Sequence, residues 1–260
     1  MGSNVADIQG PGLLFVNSKI TRPGLIDEDA FFKWYDDDHI VEILQTSGIQ
    51  SAFRFKDVTG SDADRPFLAM YPMKDIAFTQ TKEFRNISVH SEMLPHGGPV
   101  YDIADFDTRY YNLVQVIDPT KKGRGSVKSV VVAQYSLDVA DDEFKSWLER
   151  RLFEGLAGTS GHLRTTMYKL VYARSNAQSR ALKGLSTTNE TSERPPLWLV
   201  VHEFESADVN PEWLERLTSY VYGPLAYDLG IKVRPSAQKH GVFRLVKTRG
   251  QGDFFHGVDM

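Results

Sequence analysis

Short, nearly continuous apolar runs alternate along the chain with longer segments in which apolar residues recur at a helical period. In the first half, the runs bounded by turn residues predict four strands, over residues 13–19, 49–56, 67–71 and 110–117. The helical periods predict two helices, over residues 28–46 and 75–84. The first half therefore has the predicted order β-α-β-β-α-β.

The second half of the chain repeats this order. Its predicted strands cover residues 130–135, 162–172, 197–204 and 242–247. Its predicted helices cover residues 141–156 and 211–220. Between the second and third of these strands, residues 175–193 are rich in Ser, Thr, Asn and charge and contain no aromatic residue. This composition predicts a long mobile loop that could act as a lid.

The first predicted helix of each half carries a repeated sequence. Residues 28–48 align without a gap on residues 141–161, and the alignment keeps the aromatic packing residues. The polar positions differ, because Tyr35 and His39 align with Leu148 and Leu152. The pattern predicts a structural unit that occurs twice in the chain, with a single functional site, because only the first copy keeps the histidine.

The predicted domains are residues 1–120, which carry His39, and residues 126–250. Each has the element order of a ferredoxin-like unit, in which two helices cover one face of a four-stranded antiparallel sheet. The strands are apolar at nearly every position, which indicates that the second face of each sheet is also buried. The predicted fold class is α+β, with two tandem ferredoxin-like units packed sheet to sheet as an intramolecular α/β barrel.

Composition narrows the classes of function. The 260 residues include 30 basic and 34 acidic side chains without a basic block, so no nucleic-acid or membrane surface is expected. Cysteine is absent, which excludes disulfides, thiolate nucleophiles and Cys-ligated metals. No metal-ligand spacing such as His-Glu-x-x-His occurs, so no metal site is predicted. Without a signal-peptide pattern or an apolar run of roughly 18 to 20 residues, a cytoplasmic protein is expected.

The helix sequence Trp-Tyr-Asp-Asp-Asp-His-Ile at residues 34–40, followed by Ser47-Gly48 and a strand, resembles the EthD-like members of the dimeric α/β-barrel superfamily. Those proteins carry an aromatic residue and a histidine four positions apart on the first helix. The duplication resembles tandem fungal-type members, in which one chain supplies both halves of the barrel. The resemblance implies a fold shared by cofactor-free monooxygenases, polyketide cyclases and decarboxylases, lactone isomerases and haem enzymes, so it selects no single reaction.

His39 is the main candidate for chemistry. On a helix that turns about 100° per residue, it shares a face with Phe32, Tyr35 and Ile43, so its imidazole is predicted to point inward. A histidine in that place is either a hydrogen-bonded core residue or a general acid/base, since a partly dry imidazole titrates near neutrality. Asp36, three residues earlier, is the carboxylate that could orient the ring.

Further side chains are candidates for contact with a substrate. Asn17 and Gln134 place an amide in the apolar first strand of each half, where it either ties strands together or binds a carbonyl or hydroxyl group. Tyr71 and His202 occupy matching positions on the third strands. The remaining candidates are aromatic residues predicted to line the cavity, namely Tyr35, Phe53 and Tyr111.

We interpret the sequence as that of a cofactor-independent cyclase, decarboxylase or isomerase acting on an aromatic or polyketide-like hydrophobic small molecule, in the setting of secondary metabolism. His39 would transfer the proton while Tyr71 and Asn17 polarise an oxygen. Two alternatives stay open. One is a non-catalytic protein that binds a hydrophobic small molecule, and the other is a haem enzyme, because relatives of this barrel hold haem through one helical histidine. Since one chain carries both halves, a monomer or a homodimer is expected.

Overall fold

A computed structural model describes residues 8–59, 64–137, 139–156, 161–187, 195–209, 211–217, 219, 224–230 and 238–255. The strands are β1 (Gly12–Ile20), β2 (Ser51–Asp57), β3 (Phe67–Met73), β4 (Ala104–Ile117), β5 (Ser129–Tyr135), β6 (His162–Arg174), β7 (Trp198–Phe204) and β8 (Gln238–Gly250). They hydrogen-bond in the closed order β1-β3-β2-β8-β5-β7-β6-β4, which makes an eight-stranded antiparallel barrel.

The helices are few and mostly short. They are α1 (Glu28–Trp34), α2 (Ile40–Leu44), α3 (Lys82–Asn86), α4 (Asp141–Leu156), α5 (Asn176–Leu182), α6 (Pro211–Arg216) and α7 (Leu225–Asp228). A π-helical segment, Tyr35–His39, joins α1 to α2, and short 3₁₀ helices cover Ile76–Gln80, Pro95–Gly97 and Val100–Asp102. Within the ranges given above, no helix is long and apolar enough to cross a membrane.

The chain divides into two compact units, each assembled from separate stretches of the sequence. Unit 1 comprises Met1–Leu113, Leu170–Arg194 and Val246–Phe254. Unit 2 comprises Val114–Lys169, Pro195–Leu245 and Phe255–Met260.

In unit 1, β1 lies between β3 and β4, and β2 pairs with the other side of β3. Helix α1 begins after Asp27, whose carboxylate accepts a hydrogen bond from the Ala30 N–H and so satisfies a free amide of the first turn. Phe31, Trp34 and Tyr35 are then buried against the apolar residues of the sheet. Burial of three aromatic side chains on one helix face holds the helix on the sheet by the hydrophobic effect.

In unit 2, β5 lies between β7 and β8, and β6 pairs with the other side of β7. The strands thus pair in the same relative order as in unit 1. Helix α4 covers the predicted range 141–156 and buries Phe144, Trp147 and Leu148. The ring of Phe144 packs on Trp198 of β7 with ring centroids 4.9 Å apart.

The predicted α+β class and the antiparallel strands are confirmed, whereas the helices differ in detail. The helix predicted over residues 75–84 is a 3₁₀ turn followed by α3. Thr81 explains the break, because it has extended backbone angles and its hydroxyl caps α3 by accepting the Phe84 N–H. In the helix predicted over residues 211–220, α6 covers Pro211–Arg216 and the described residues 217 and 219 are π-helical, while residues 218 and 220 lie outside the described ranges.

The segment predicted as a mobile loop, residues 175–193, differs most from expectation. It contains α5, which begins with a capping box in which the Ser175 hydroxyl accepts the Gln178 N–H and the Gln178 side chain accepts the Ser175 N–H. The guanidinium of Arg180 pairs with Asp102 at 2.5 Å. Residues 188–193 lie outside the described ranges, so the predicted lid stays a prediction for that part.

Candidate active site

The π-helical segment Tyr35–His39 positions the main candidate residues. Its wider turn is closed by the Ile40 N–H, which donates to the carbonyl of Tyr35, five residues earlier. Such insertions in α-helices frequently occur at functional sites. The ring of His39 stacks on Trp34 with centroids 5.0 Å apart and meets the ring of Tyr35 edge-on at 5.5 Å.

His39 is a neutral imidazole at ordinary pH. Burial lowers its pKa from 6.5 to about 4, while Asp38 acts to raise that pKa and Lys183 acts to lower it. The residue is half-buried, so its ring combines a largely apolar environment with access for a small molecule. In the described part of the chain, no side chain hydrogen-bonds the imidazole. A neutral imidazole of this kind can accept a proton.

One buried phenol, that of Tyr35, lies next to this imidazole, and a second, that of Tyr71, is joined to Tyr35. The hydroxyl of Tyr71 on β3 donates to the hydroxyl of Tyr35 over 3.5 Å, a long hydrogen bond. Burial raises the pKa of Tyr35 to about 12 and raises the pKa of Tyr71 well above its ordinary value of 10. Both phenols are therefore neutral and can donate a hydrogen bond to an oxygen that gains negative charge.

Asp36 lies in an ion pair and not in the orienting contact with His39 that the sequence suggested. Its carboxylate accepts from Arg54 Nε at 2.9 Å and from Arg54 Nη2 at 2.7 Å. The guanidinium also lies 4.0 Å from the centroid of the Phe32 ring. Only 3% of Arg54 is exposed, so this buried pair joins the π-helical segment to β2.

The other predicted substrate contacts of unit 1 lie on the opposite face of the sheet from Tyr71. Asn17, Phe53 and Tyr111 alternate along their strands with residues of the core beneath the helices. Asn17 ties two strands together, since its amide donates to the carbonyl of Phe67 at 3.4 Å. The ring of Phe53 packs edge-on against Phe254, and that of Tyr111 packs edge-on against Phe15. The structure therefore does not bring these three together with His39.

In unit 2, His202 belongs to a polar chain that was not foreseen. The Thr165 hydroxyl bonds to His202 Nδ1 at 2.8 Å and to His162 Nε2 at 2.9 Å, and both imidazoles contact Trp213. Burial lowers the pKa of His162 to about 4 and that of His202 well below its ordinary value. Gln134 alternates along β5 with residues of the unit 2 core, so it lies on the other face from His202.

Three functional candidates were missed at the sequence level: Tyr110, Arg174 and Lys183. Leu14 is the neighbour of both Tyr71 and Tyr110 across the sheet, so these two tyrosines lie in one row. Arg174 ends β6 and donates to the hydroxyl of Tyr110. The strand pattern placed Tyr110 among ordinary core residues. The polar composition after Arg174 resembled that of a loop, so it concealed the ordered segment that carries Lys183.

No cluster of three or more His, Cys, Asp or Glu side chains that could hold a metal ion occurs in the described ranges. The chemistry that this arrangement offers is proton transfer at the imidazole of His39, with hydrogen-bond donation from neutral tyrosines.

Comparison with known proteins supports the fold. Across its whole length the chain aligns with an anthrone oxidase-like protein (TM-score 0.51, 14% identity, 99% of both chains covered). It also aligns with a candidate monooxygenase from Fusobacterium nucleatum (TM-score 0.53, 12% identity, 94% and 96% covered). A candidate monooxygenase from Lactobacillus acidophilus is similar as well (TM-score 0.52, 11% identity, 94% and 97% covered). The chain shares the fold of these three proteins.

A curated relative adds a biological setting for a similar sequence. The chain is 26% identical over 203 residues to the fungal core atranone cluster (CAC) protein 1 from Stachybotrys chlorohalonatus, with 77% of this chain and 84% of the relative covered. No family model matches the sequence.

Proposed function

We propose that the protein is an enzyme that abstracts a proton from an aromatic or polyketide-like hydrophobic small molecule, with His39 as the base. The observation that carries the proposal is a neutral, half-buried imidazole in contact with the neutral phenol of Tyr35, which is in turn hydrogen-bonded to the neutral phenol of Tyr71. The step itself requires a base, an oxygen-stabilising donor and an apolar site, and these residues supply all three.

In the proposed step, an acidic C–H or O–H of the substrate gives its proton to the imidazole of His39. The electron pair that is left moves onto a substrate oxygen, which the Tyr35 hydroxyl stabilises by donating a hydrogen bond, because the Tyr71 proton is already donated to the Tyr35 oxygen. An imidazole with a pKa near 4 is a weak base towards water. Next to the anion that it creates, however, the imidazolium gains a partner in a site of low dielectric constant, so the proton transfer becomes more favourable.

The fate of the anion decides the overall reaction. If His39 returns the proton to another carbon, the reaction is an isomerisation or a cyclisation. A second candidate is oxygenation, which the names of the anthrone oxidase-like and monooxygenase fold relatives favour. In that case dioxygen is the oxidant: a CH₂ group becomes a carbonyl group, and the second oxygen atom leaves as water with the two hydrogens. The relative named for the atranone cluster favours a substrate from secondary metabolism.

We also propose that the two halves of the chain, residues 1–120 and 126–250, arose by duplication as tandem ferredoxin-like domains, and that the chain is EthD-like. The matching strand order of the units and the repeated sequence of their first helices support this proposal. Because both halves lie in one chain, it is expected to be active as a monomer or a homodimer.

Proton abstraction can be measured without knowledge of the final product. Anthrone is incubated with the protein in D₂O without oxygen, and deuterium uptake at its methylene carbon is followed by mass spectrometry. We expect His39→Ala to slow the exchange at least about a hundredfold, since it removes the base. The matched control is His90→Ala, because His90 is exposed and lies outside the site. Unchanged exchange in His39→Ala would refute the proposal.

The same samples test the two alternatives of the sequence analysis. A non-catalytic binding protein would retain anthrone without exchange above the rate in buffer. A haem enzyme would bind added haem and show a shifted Soret band, and that band would disappear in His39→Ala.

A further inference from the structure

We propose that Arg174 and Tyr110 form an anion-binding end of the same site, which receives a carboxylate, phenolate or enolate oxygen of an aromatic substrate. The inference rests on the proposed function and specifies its substrate class: the molecule carries, or acquires during the reaction, a negative oxygen on an aromatic framework.

Arg174 is a half-buried cation whose partner is a phenol. Its Nη2 donates to the hydroxyl of Tyr110, and the guanidinium carbon lies 5.2 Å from the centroid of the Tyr110 ring. Among the described residues, no carboxylate lies within ion-pair distance of Arg174, and its buried Nε has no hydrogen-bond acceptor. Elsewhere in unit 1, by contrast, the buried guanidinium of Arg54 has a bidentate carboxylate partner.

The Tyr110 hydroxyl accepts a hydrogen bond from the Arg174 cation, and Tyr110 lies on the same face of the sheet as Tyr71. Because burial raises its pKa, although Arg174 acts in the opposite direction, the phenol stays protonated. Its oxygen accepts from Arg174, so its O–H remains available as a donor, and a hydrogen bond from a cation polarises that donor further. The tyrosine is then a charge-assisted donor for an anionic oxygen.

Lys183 links this end of the site to His39. Its ammonium group is fixed by the carbonyls of Arg85 and Ile87, at 2.6 and 2.7 Å. Lys183 lowers the pKa of His39, and Arg174 in turn lowers the pKa of Lys183 after the larger effect of burial. The three groups therefore share one electrostatic neighbourhood.

Two carboxylates oppose the positive charge in this neighbourhood. Asp38 acts to raise the pKa of His39, and Glu42 acts to raise the pKa of Lys183. Glu42 is already engaged, because its Oε1 accepts the backbone N–H of Ser88 at 2.9 Å. Neither carboxylate pairs with Arg174. The guanidinium of Arg174 is half-buried and its Nε is buried without an acceptor, so the arrangement favours an incoming anion.

The test compares a pair of ligands of the same shape that differ in charge. Binding of 2-naphthoate and of neutral 2-naphthamide is measured by isothermal titration calorimetry with the wild-type protein. We expect naphthoate to bind at least about tenfold more tightly than naphthamide. In Arg174→Met this preference should fall to within about twofold, through loss of naphthoate affinity alone. Arg174→Lys, which keeps the charge but loses the planar fork, should retain part of the preference.

The matched control is Arg180→Met, because Arg180 lies in the same segment but is already paired with Asp102. This variant should keep the full preference. The inference is overturned if the wild-type protein binds neither ligand or shows no preference, or if a folded Arg174→Met keeps the preference. His39→Ala separates this inference from the proposed function: it should lose deuterium exchange yet keep the preference for naphthoate. Exchange that survives in His39→Ala would refute the base and leave the anion site standing.

Discussion

At the scale of single residues, burial sets the state in which each candidate works. The same loss of hydration that keeps Tyr35 and Tyr71 protonated keeps His39 unprotonated, because removal from water disfavours whichever form is charged. The site thus holds a neutral base and two neutral phenols beside the Asp36–Arg54 ion pair. A sequence can predict that such residues share a helix face, but it cannot predict the depth of burial, which depends on the distant strand that covers them.

The pH dependence of the reaction follows from the state of His39. The base acts only when unprotonated, so kcat/KM should fall as the pH drops through about 4 and should be level from pH 5 to 8. Deuterium exchange into anthrone across this range gives the profile, and circular dichroism at each pH shows how much of the protein is folded. A half-maximal rate near 6.5, the ordinary pKa of histidine, would contradict a buried base.

At the scale of elements, the Asp36–Arg54 pair holds the π-helical segment on β2. Arg54→Met would leave the Asp36 carboxylate buried without its partner, which costs about 3 to 5 kcal/mol of unfolding free energy. Urea unfolding measures this loss. The double variant Arg54→Met, Asp36→Leu should recover part of it, because both charges are then removed. If Asp36 serves packing alone, exchange per folded molecule should be unchanged in the double variant; a hundredfold decrease would instead place Asp36 in catalysis.

Elements with a strong local signal were predicted from the sequence, and those set by distant contacts were not. Helix α4 matched its predicted range because Phe144, Trp147 and Leu148 repeat at a helical period. The π-helical segment differs from an α-helix by one extra residue in a turn, and the amino-acid composition of the stretch does not signal that difference. Helix α5 is held by contacts such as Lys183 to the carbonyl of Ile87, far apart in the sequence, so its polar composition resembled a loop.

For the candidate site, the sequence identified the face that joins Tyr35 to His39 but not the faces of the strands. Strand alternation places Tyr71 and Tyr111 on opposite sides of the sheet, although β3 is apolar throughout and the neighbours Tyr110 and Tyr111 on β4 are both buried. Where both faces of a strand are buried, alternation of polar and apolar residues is lost, and with it the signal that tells one side from the other. That is why Tyr111, Phe53 and Asn17 were grouped with His39.

At the scale of the whole molecule, buried histidines in both units make stability depend on pH. His39 and His162 are protonated in the folded protein only near pH 4, and the pKa of His202 lies well below its ordinary value. In the unfolded chain each binds a proton below about pH 6.5. Unfolding therefore takes up protons between pH 6.5 and 4, and the unfolding free energy falls as the pH drops across this window.

One carboxyl group, that of Glu203, has the opposite effect on the pH dependence of the unfolding free energy. Burial raises the pKa of Glu203 to about 7, although the guanidinium of Arg164 acts to lower it. Folding would then take up one proton between pH 7 and the ordinary carboxyl pKa of 4.5, which adds stability as the pH falls. Three histidines outweigh one carboxyl group, so we expect a net loss on the order of 7 kcal/mol between pH 6.5 and 4.

Urea unfolding at half-unit pH steps measures this slope, and a variant can assign it. His162→Gln keeps a polar group near Thr165 but cannot take up a proton, so its unfolding free energy should depend less steeply on pH, by about one proton. His90→Gln, at an exposed position, should leave the slope unchanged. A slope of the opposite sign would mean that Glu203 dominates the acid response and that the histidines are protonated in the folded protein.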